Sequence, residues 1–232
     1  MSDSVAIVTG AGSGVGAQVA RMLVERGWGV VLAGRTPEKL EGVAREIGGR
    51  TLVCAMDVGV DGDRARLVDT ALDAFGRIDA LVNNAGLADY KQVHQHDDDS
   101  MMALFRVNGI GPVDLARRVI PAMLEQKSGV VVNVASMANI DPFPGLGMYG
   151  CAKGALSVLP KAIENEYGRR GIRGYTICPG AIETGMLRSM FDTKQLPESA
   201  TLDPADVAAR IVGCVVGEEG EPSGSVIAMP SH

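Results

Sequence analysis

The chain has 232 residues, 46% hydrophobic and 22% charged, which is enough for one substantial core, and no Pro/Gly/Ser-rich linker divides it. A net charge of −6 with no compensating Lys/Arg cluster argues against nucleic acid or an anionic membrane as partner. No apolar run approaches the roughly 18 residues of a membrane span.

The N-terminus, Met1-Ser2-Asp3-Ser4, runs directly into an apolar segment with neither a basic region nor a cleavage site. That pattern predicts a cytoplasmic protein. Cys54, Cys151, Cys178 and Cys214 stand far apart in apolar contexts without a Cys-x-x-Cys, so reduced core thiols are expected rather than disulfides or a zinc site.

Short apolar runs predict seven strands: Val5–Val8, Gly29–Ala33, Leu52–Ala55, Ala80–Val82, Val130–Val134, Gly174–Cys178 and Val226–Met229. Their continuous hydrophobicity implies burial on both faces. Helical patterns lie between them at 14–26, 37–47, 61–75, 98–126, 148–170 and 204–216. Strand and helix alternation with right-handed crossovers gives an α/β fold, a single doubly wound Rossmann domain over 1–232. The expected parallel sheet has the order 3-2-1-4-5-6-7 with helices on both faces, and a short substrate-loop region is expected at about 185–203.

Directly after the first strand comes Thr9-Gly10-Ala11-Gly12-Ser13-Gly14-Val15-Gly16, opening a helix. Glycine there lets backbone approach a pyrophosphate, and the helix N-terminus supplies free N–H donors to the anion. The second strand ends in Gly34-Arg35 with no carboxylate. An acidic residue at that point would accept from the adenosine ribose and repel a 2′-phosphate, whereas Arg35 can pair with that phosphate, so NADP is expected and NAD is the alternative. His94, His96 and Asp97–Asp99 could suggest a metal site, but the three aspartates before Ser100 and an apolar helix read as helix N-terminal charges, so no metal is expected.

Further along, Asn108 sits in an apolar helical stretch before Gly109 and Gly111-Pro112, which invites a local break. Ser136 follows the fifth strand, at the edge where open parallel sheets place ligands. Thirteen residues later, Tyr149 and Lys153 share one face of a helix, so the ammonium can favour the phenolate and bring proton exchange towards neutral pH. Pro160 interrupts that helix and is expected to kink it, which would alter any subunit interface built on it.

The spacing Thr-Gly-x-x-x-Gly-x-Gly resembles that of the short-chain dehydrogenase/reductase family, and the resemblance extends over nearly the whole chain. Asn83-Asn84-Ala85-Gly86, Asp57-Val58 and Pro179-Gly180-x-Ile182-x-Thr184 resemble its sheet, adenine-side and nicotinamide-side motifs. Asn108, Ser136, Tyr149 and Lys153 match its catalytic tetrad in order and approximate spacing. The resemblance implies hydride transfer between NADP(H) and a carbonyl or secondary alcohol, with Tyr149 as general acid/base. Ser136 would hold the substrate oxygen, Lys153 would tune the phenol and hold the ribose, and Asn108 would open its helix to a proton-relay water. It implies a cofactor set of Gly10, Ser13, Gly14, Val15, Gly16, Arg35, Asp57, Val58, Asn83, Ala85, Gly86, Tyr149, Lys153, Pro179, Gly180, Ile182 and Thr184. By analogy with family members, a homodimer or homotetramer is expected.

The substrate is expected over the nicotinamide, against Ser136, Met137, Phe143, Tyr149, Met186 and Met190, with Ile140, Leu146, Met148, Leu187 and Phe191 as further apolar candidates. Three alternatives stand beside this reading: a non-catalytic dinucleotide-sensing regulator, a 3-oxoacyl thioester reductase and an NAD-dependent alcohol dehydrogenase.

Overall fold

The computed structural model describes residues 3–231, so Met1 and Ser2 of the N-terminal reading lie outside the described residues. In chain order the elements are β1 (Val5–Thr9), α1 (Gly14–Glu25), β2 (Gly29–Gly34), α2 (Pro37–Ile47), β3 (Thr51–Ala55), α3 (Asp61–Phe75) and β4 (Ala80–Asn83). There follow α4 (Asp98–Phe105), α5 (Gly111–Gln126), β5 (Gly129–Val134), α6 (Gly147–Tyr167), β6 (Ile172–Pro179), α7 (Gly185–Arg188), α8 (Pro204–Val216) and β7 (Val226–Met229). All seven strands pair in parallel in the order β3-β2-β1-β4-β5-β6-β7, as the alternating pattern predicts.

Successive strand side chains point to opposite faces, and both faces are covered. Ala6, Val8, Val30, Leu32, Val130 and Val132 pack beneath α1, α2 and α8. Their neighbours Ile7, Val31, Leu81 and Val131 pack beneath α3, α5 and α6. Each fully buried Leu, Ile or Val contributes about 1.5–3 kcal/mol of transfer free energy, and that two-sided burial is why the strands read as unbroken apolar runs.

Two helices depart from expectation. The predicted helix at 98–126 is divided by a π-helical turn, Arg106–Ile110, which carries Asn108. The predicted break is therefore a widened turn in a continuous helical path. Pro160, by contrast, does not interrupt α6, which runs through it for 21 residues. Proline removes the N–H that would bond the carbonyl of Leu156, and the Thr176 hydroxyl of β6 donates to that oxygen instead, at 2.6 Å. A partner from the sheet thus compensates what the helix loses.

Asp97 caps α4 by accepting from Ser100 N at 2.8 Å, in keeping with the reading of that acidic run as helix N-terminal charges. Cys54, Cys178 and Cys214 are buried, but Cys151 is exposed on the outer face of α6, which corrects its assignment to the core. Among the described residues no helix is long and apolar enough to cross a membrane.

Candidate active site

Parallel strands bring every β-to-α loop to one edge of the sheet. There a cleft of about 1180 Å³ runs from the end of β2 to the segment around α7. The glycine-rich turn contributes Gly10, Ser13, Gly14 and Val15 to its wall. Ser13 is extended and makes no side-chain cap, so the first N–H groups of α1 face the cleft without a capping side chain. Gly16 does not line the cleft. A Cβ there would fall 2.4 Å from the Gly10 carbonyl, so its role is to let helix and turn approach each other.

Asn84, absent from the expected set, fixes this turn. Its amide donates to Thr9 O at 2.9 Å and Gly10 O at 3.3 Å, while the Thr9 hydroxyl accepts from the N–H groups of Asn84 and Ala85 at 3.0 Å each. Asn83 is turned away from the cleft. It ends β4 fully buried, donating to Asn133 Oδ1 at 2.9 Å and Pro112 O at 3.1 Å. The reason is strand alternation: two adjacent asparagines at a strand end cannot face the same way.

At one end of the cleft lie Arg35, Lys39, Asp57 and Val58. Arg35 and Lys39 are exposed, and neither has an ionic partner among the described residues. The Val58 carbonyl is held by Arg64 Nη1 at 2.8 Å, and Arg64 Nε in turn bonds Asp114 of α5 at 2.7 Å. Burial opposes ionisation of Asp114, but hydrogen bonds from Arg118, Arg64 and Arg117 outweigh it and hold the carboxyl well below the usual carboxylate range. This brace spans 50 residues of sequence and left no local signal.

Near the middle of the cleft, the end of β5 presents Ser136 opposite Tyr149 and Lys153 of α6, with Ala85 and Gly86 on the facing wall. Lys153 is 2% exposed and donates to Val134 O at 2.8 Å, and its Nζ lies 6.0 Å from the Tyr149 ring centre. Burial lowers its pKa to about 8. Burial likewise pushes the half-buried Tyr149 phenol up to about 12, and the Ser136 hydroxyl offsets part of that rise. The expected downward pull from Lys153 is not among the causes of the shift: desolvation raises the phenol and the Ser136 hydroxyl alone counters it.

Asn108 is fully buried behind this wall. Its amide donates to Leu87 O at 2.7 Å and accepts from Leu87 N at 3.0 Å, pinning the segment after β4 to the π-helical turn. A Cβ at Gly86 would lie 3.4 Å from both Asn108 Oδ1 and Lys153 Nζ, so the four tetrad positions converge on one region.

Pro179, Gly180, Ile182 and Thr184 form the opposite lip, and a Cβ at Gly14 would lie 3.3 Å from the Thr184 methyl. The two lips thus close over a groove lined by backbone and small residues, a shape and donor set that fit an elongated anionic dinucleotide. Beyond them, Met137, Phe143, Leu146, Met186, Leu187, Met190 and Phe191 line the far end, whereas Ile140 and Met148 do not. Tyr90 lines it too, without having been expected there; it lies in an irregular stretch with no periodicity to mark it. The segment around α7 is braced by Arg188, which binds Glu183 at 2.7 Å through Nε and the Leu196 carbonyl at 2.7 Å.

Residues 4–195 match the family model described as short chain dehydrogenase. An uncharacterized oxidoreductase of Staphylococcus aureus (strain USA300) is 32% identical over 213 residues, 91% of this chain and 90% of that protein. Among solved structures, a 3-ketoacyl-(acyl-carrier-protein) reductase from Brucella melitensis complexed with NADH is 30% identical, with TM-score 0.91, covering 97% of this chain and 96% of that one. Levodione reductase is 28% identical with TM-score 0.90, covering 99% and 97%. The chain belongs to the short-chain dehydrogenase/reductase family, NAD(P)-dependent oxidoreductases that act on CH–OH or C=O groups.

Proposed function

We propose that the protein reduces a carbonyl compound, or oxidises the corresponding secondary alcohol, with NADP(H) as cofactor and Tyr149 as general acid/base. The observation that carries this reading is the convergence of Ser136, Tyr149 and Lys153 on one stretch of a cleft whose two lips suit a dinucleotide. When bound, the nicotinamide supplies or accepts the hydride. Tyr149 gives its phenolic proton to the substrate oxygen in reduction and recovers it in oxidation. Its raised pKa keeps it protonated at neutral pH, which suits the donating direction. Ser136 donates to the same oxygen and holds it facing the phenol.

Lys153, anchored on Val134 O, would hold the nicotinamide-side ribose and return the proton to Tyr149. Asn108 positions the Leu87 segment beside that lysine. The groove from Gly10 to Val15 would hold the pyrophosphate, Asp57 and Val58 the adenine, and Ala85, Gly86 and Pro179–Thr184 the nicotinamide side. Arg35, cationic and without an ionic partner among the described residues, would select the 2′-phosphate of NADP. The NADH complex of the Brucella relative favours a second reading, an NAD-linked 3-oxoacyl thioester reductase.

A homodimer or homotetramer fits the apolar outer face of α5 and α6, where Val113 and Val158 are 38% and 70% exposed.

The test is a panel of ketones and secondary alcohols with each cofactor, followed through nicotinamide absorbance, in the wild type and Tyr149→Phe. Loss of about 100-fold or more in kcat with cofactor affinity intact supports the assignment. Retained turnover in Tyr149→Phe refutes it.

A further inference from the structure

The far end of the cleft has a shape and a charge distribution that together narrow its substrate. Tyr90 and Phe191 meet edge to face there, ring centres 4.9 Å apart and planes at 72°. They come from opposite walls: Tyr90 from the segment after β4, and Phe191 from the segment beyond α7. Both segments are held. The Leu87 backbone is clasped by Asn108, and Lys91 N donates to Gly145 O at 3.0 Å. The Phe191 amide bonds Leu187 O at 2.9 Å.

Gly145 supports the Tyr90 ring directly. Its φ is +92°, and a Cβ at that position would sit 2.6 Å from the ring edge. The ring therefore lies flat against bare backbone, with its position set by the chain beneath it. Two aromatic rings held nearly at right angles make an apolar corner at this end of the cleft. A flat or compact ring docks in such a corner with little loss of rotational freedom, whereas a flexible chain must give up several rotors.

The charge distribution adds a second constraint. The cations lining the cleft are Arg35 and Lys39 at its opposite end and Lys153 at its centre, where it is buried and anchored on Val134 O. At the aromatic end the charged lining residue is Asp141, an exposed carboxylate. Of the neighbouring cations, Lys91 is paired with Asp89 at 2.9 Å and Arg188 with Glu183, and Lys194 does not line the cleft. A carboxylate-bearing substrate would meet Asp141 at this end with no cation in the lining to offset it.

We propose that Tyr90 and Phe191 are specificity-determining residues that select an uncharged, ring-bearing ketone or its secondary alcohol. This deepens the carbonyl reductase reading and rests on it for the location of the reacting carbon.

The test uses acetophenone (ring, neutral), 2-butanone (open chain, neutral) and benzoylformate (ring, carboxylate) with wild type, Tyr90→Ala and Tyr90→Phe. Binding to protein loaded with NADPH or NADH is measured by calorimetry, and kcat/KM by cofactor absorbance. Acetophenone is expected to bind tightest. Tyr90→Ala should lower its preference over 2-butanone by about five- to tenfold, the size of one aromatic contact, and Tyr90→Phe should restore it. Equal effects of Tyr90→Ala on both ketones, failure of Tyr90→Phe to restore the preference, or benzoylformate binding as tightly as acetophenone would overturn the proposal. If acetophenone binds with this pattern but is not turned over, the reductase reading fails and the ring site stands. If ketones are turned over without ring preference, the reverse holds.

Discussion

Asn139 donates its side-chain amide to the Ser157 hydroxyl at 2.6 Å, tying the turn that follows Ser136 to α6 one helical turn beyond Lys153. The two chain segments that carry Ser136 and Tyr149 are thereby joined through side chains. The other end of the same amide, Asn139 Oδ1, is buried without a hydrogen-bond partner among the described residues. Removing Asn139 therefore gives up one good hydrogen bond and one uncompensated acceptor, and the two nearly cancel in stability. Asn139→Ala should leave the thermal midpoint and cofactor affinity close to wild type while lowering kcat about threefold to tenfold, because a misplacement well under 1 Å is enough to impair proton transfer. Unfolding curves, cofactor titration and steady-state kinetics on the same preparations check this.

The Thr176–Leu156 bond offers a second test. Thr176→Val should destabilise the protein by about 1–3 kcal/mol, since the Leu156 carbonyl is then left buried without a donor. Pro160→Ala restores a backbone N–H four residues beyond that carbonyl. In a Pro160→Ala background, the same Thr176→Val change should be markedly milder. A denaturant double-mutant cycle measures the coupling, and strict additivity would mean that the two positions do not share that carbonyl.

The shifted pKa values of Lys153 and Tyr149 predict the alkaline stability profile. Lys153 has a folded pKa of about 8 against an ordinary lysine value of 10.5, so between those limits the unfolded chain binds the extra proton and stability rises with pH. Tyr149 has a folded pKa of about 12 against 10.0, so above that lower limit the folded chain binds the extra proton and stability falls. Lys153→Met should abolish the rise and keep the fall, and Tyr149→Phe should do the opposite. Thermal midpoints across alkaline pH for the three proteins check both signs.

Arg35→Ala should weaken NADP binding by about tenfold or more and leave NAD binding little changed, because a charge-assisted contact to the 2′-phosphate is lost and nothing else is. Fluorescence titration with both reduced cofactors reads the ratio directly. An equal loss for both would place Arg35 on the adenine ring instead.

The sequence and the structure agree where local chemistry decides. The strands are legible because burial on both faces leaves an unbroken apolar run, and the glycine-rich turn because an anion-binding helix N-terminus needs small residues. Legibility fails where a distant partner decides. Pro160 reads as a kink only until Thr176 is seen to satisfy Leu156. Asn108 is recognisable as a disturbance in a helix, but its bond to Leu87 is not. Adjacent asparagines look interchangeable on paper, yet Asn83 is directed into the sheet and Asn84 to the glycine-rich turn. Tyr90 stands in a polar, irregular stretch, and only the three-dimensional return of Phe191 and Gly145 gives it a context.

The π-helical turn at Arg106–Ile110 behaves as a single-residue insertion in an otherwise α-helical path. One extra residue rotates everything beyond it by about 100° relative to a regular helix, since the α-helix holds about 3.6 residues per turn. Deleting one residue there would give α4 and α5 a continuous regular helix, which is locally the more comfortable conformation. It would also swing Asn108 off Leu87, or else Asp114 off Arg64. The irregularity thus sets the phase between two halves of one helix, letting each address a different end of the cleft, and a length change of one residue is less tolerable here than most substitutions.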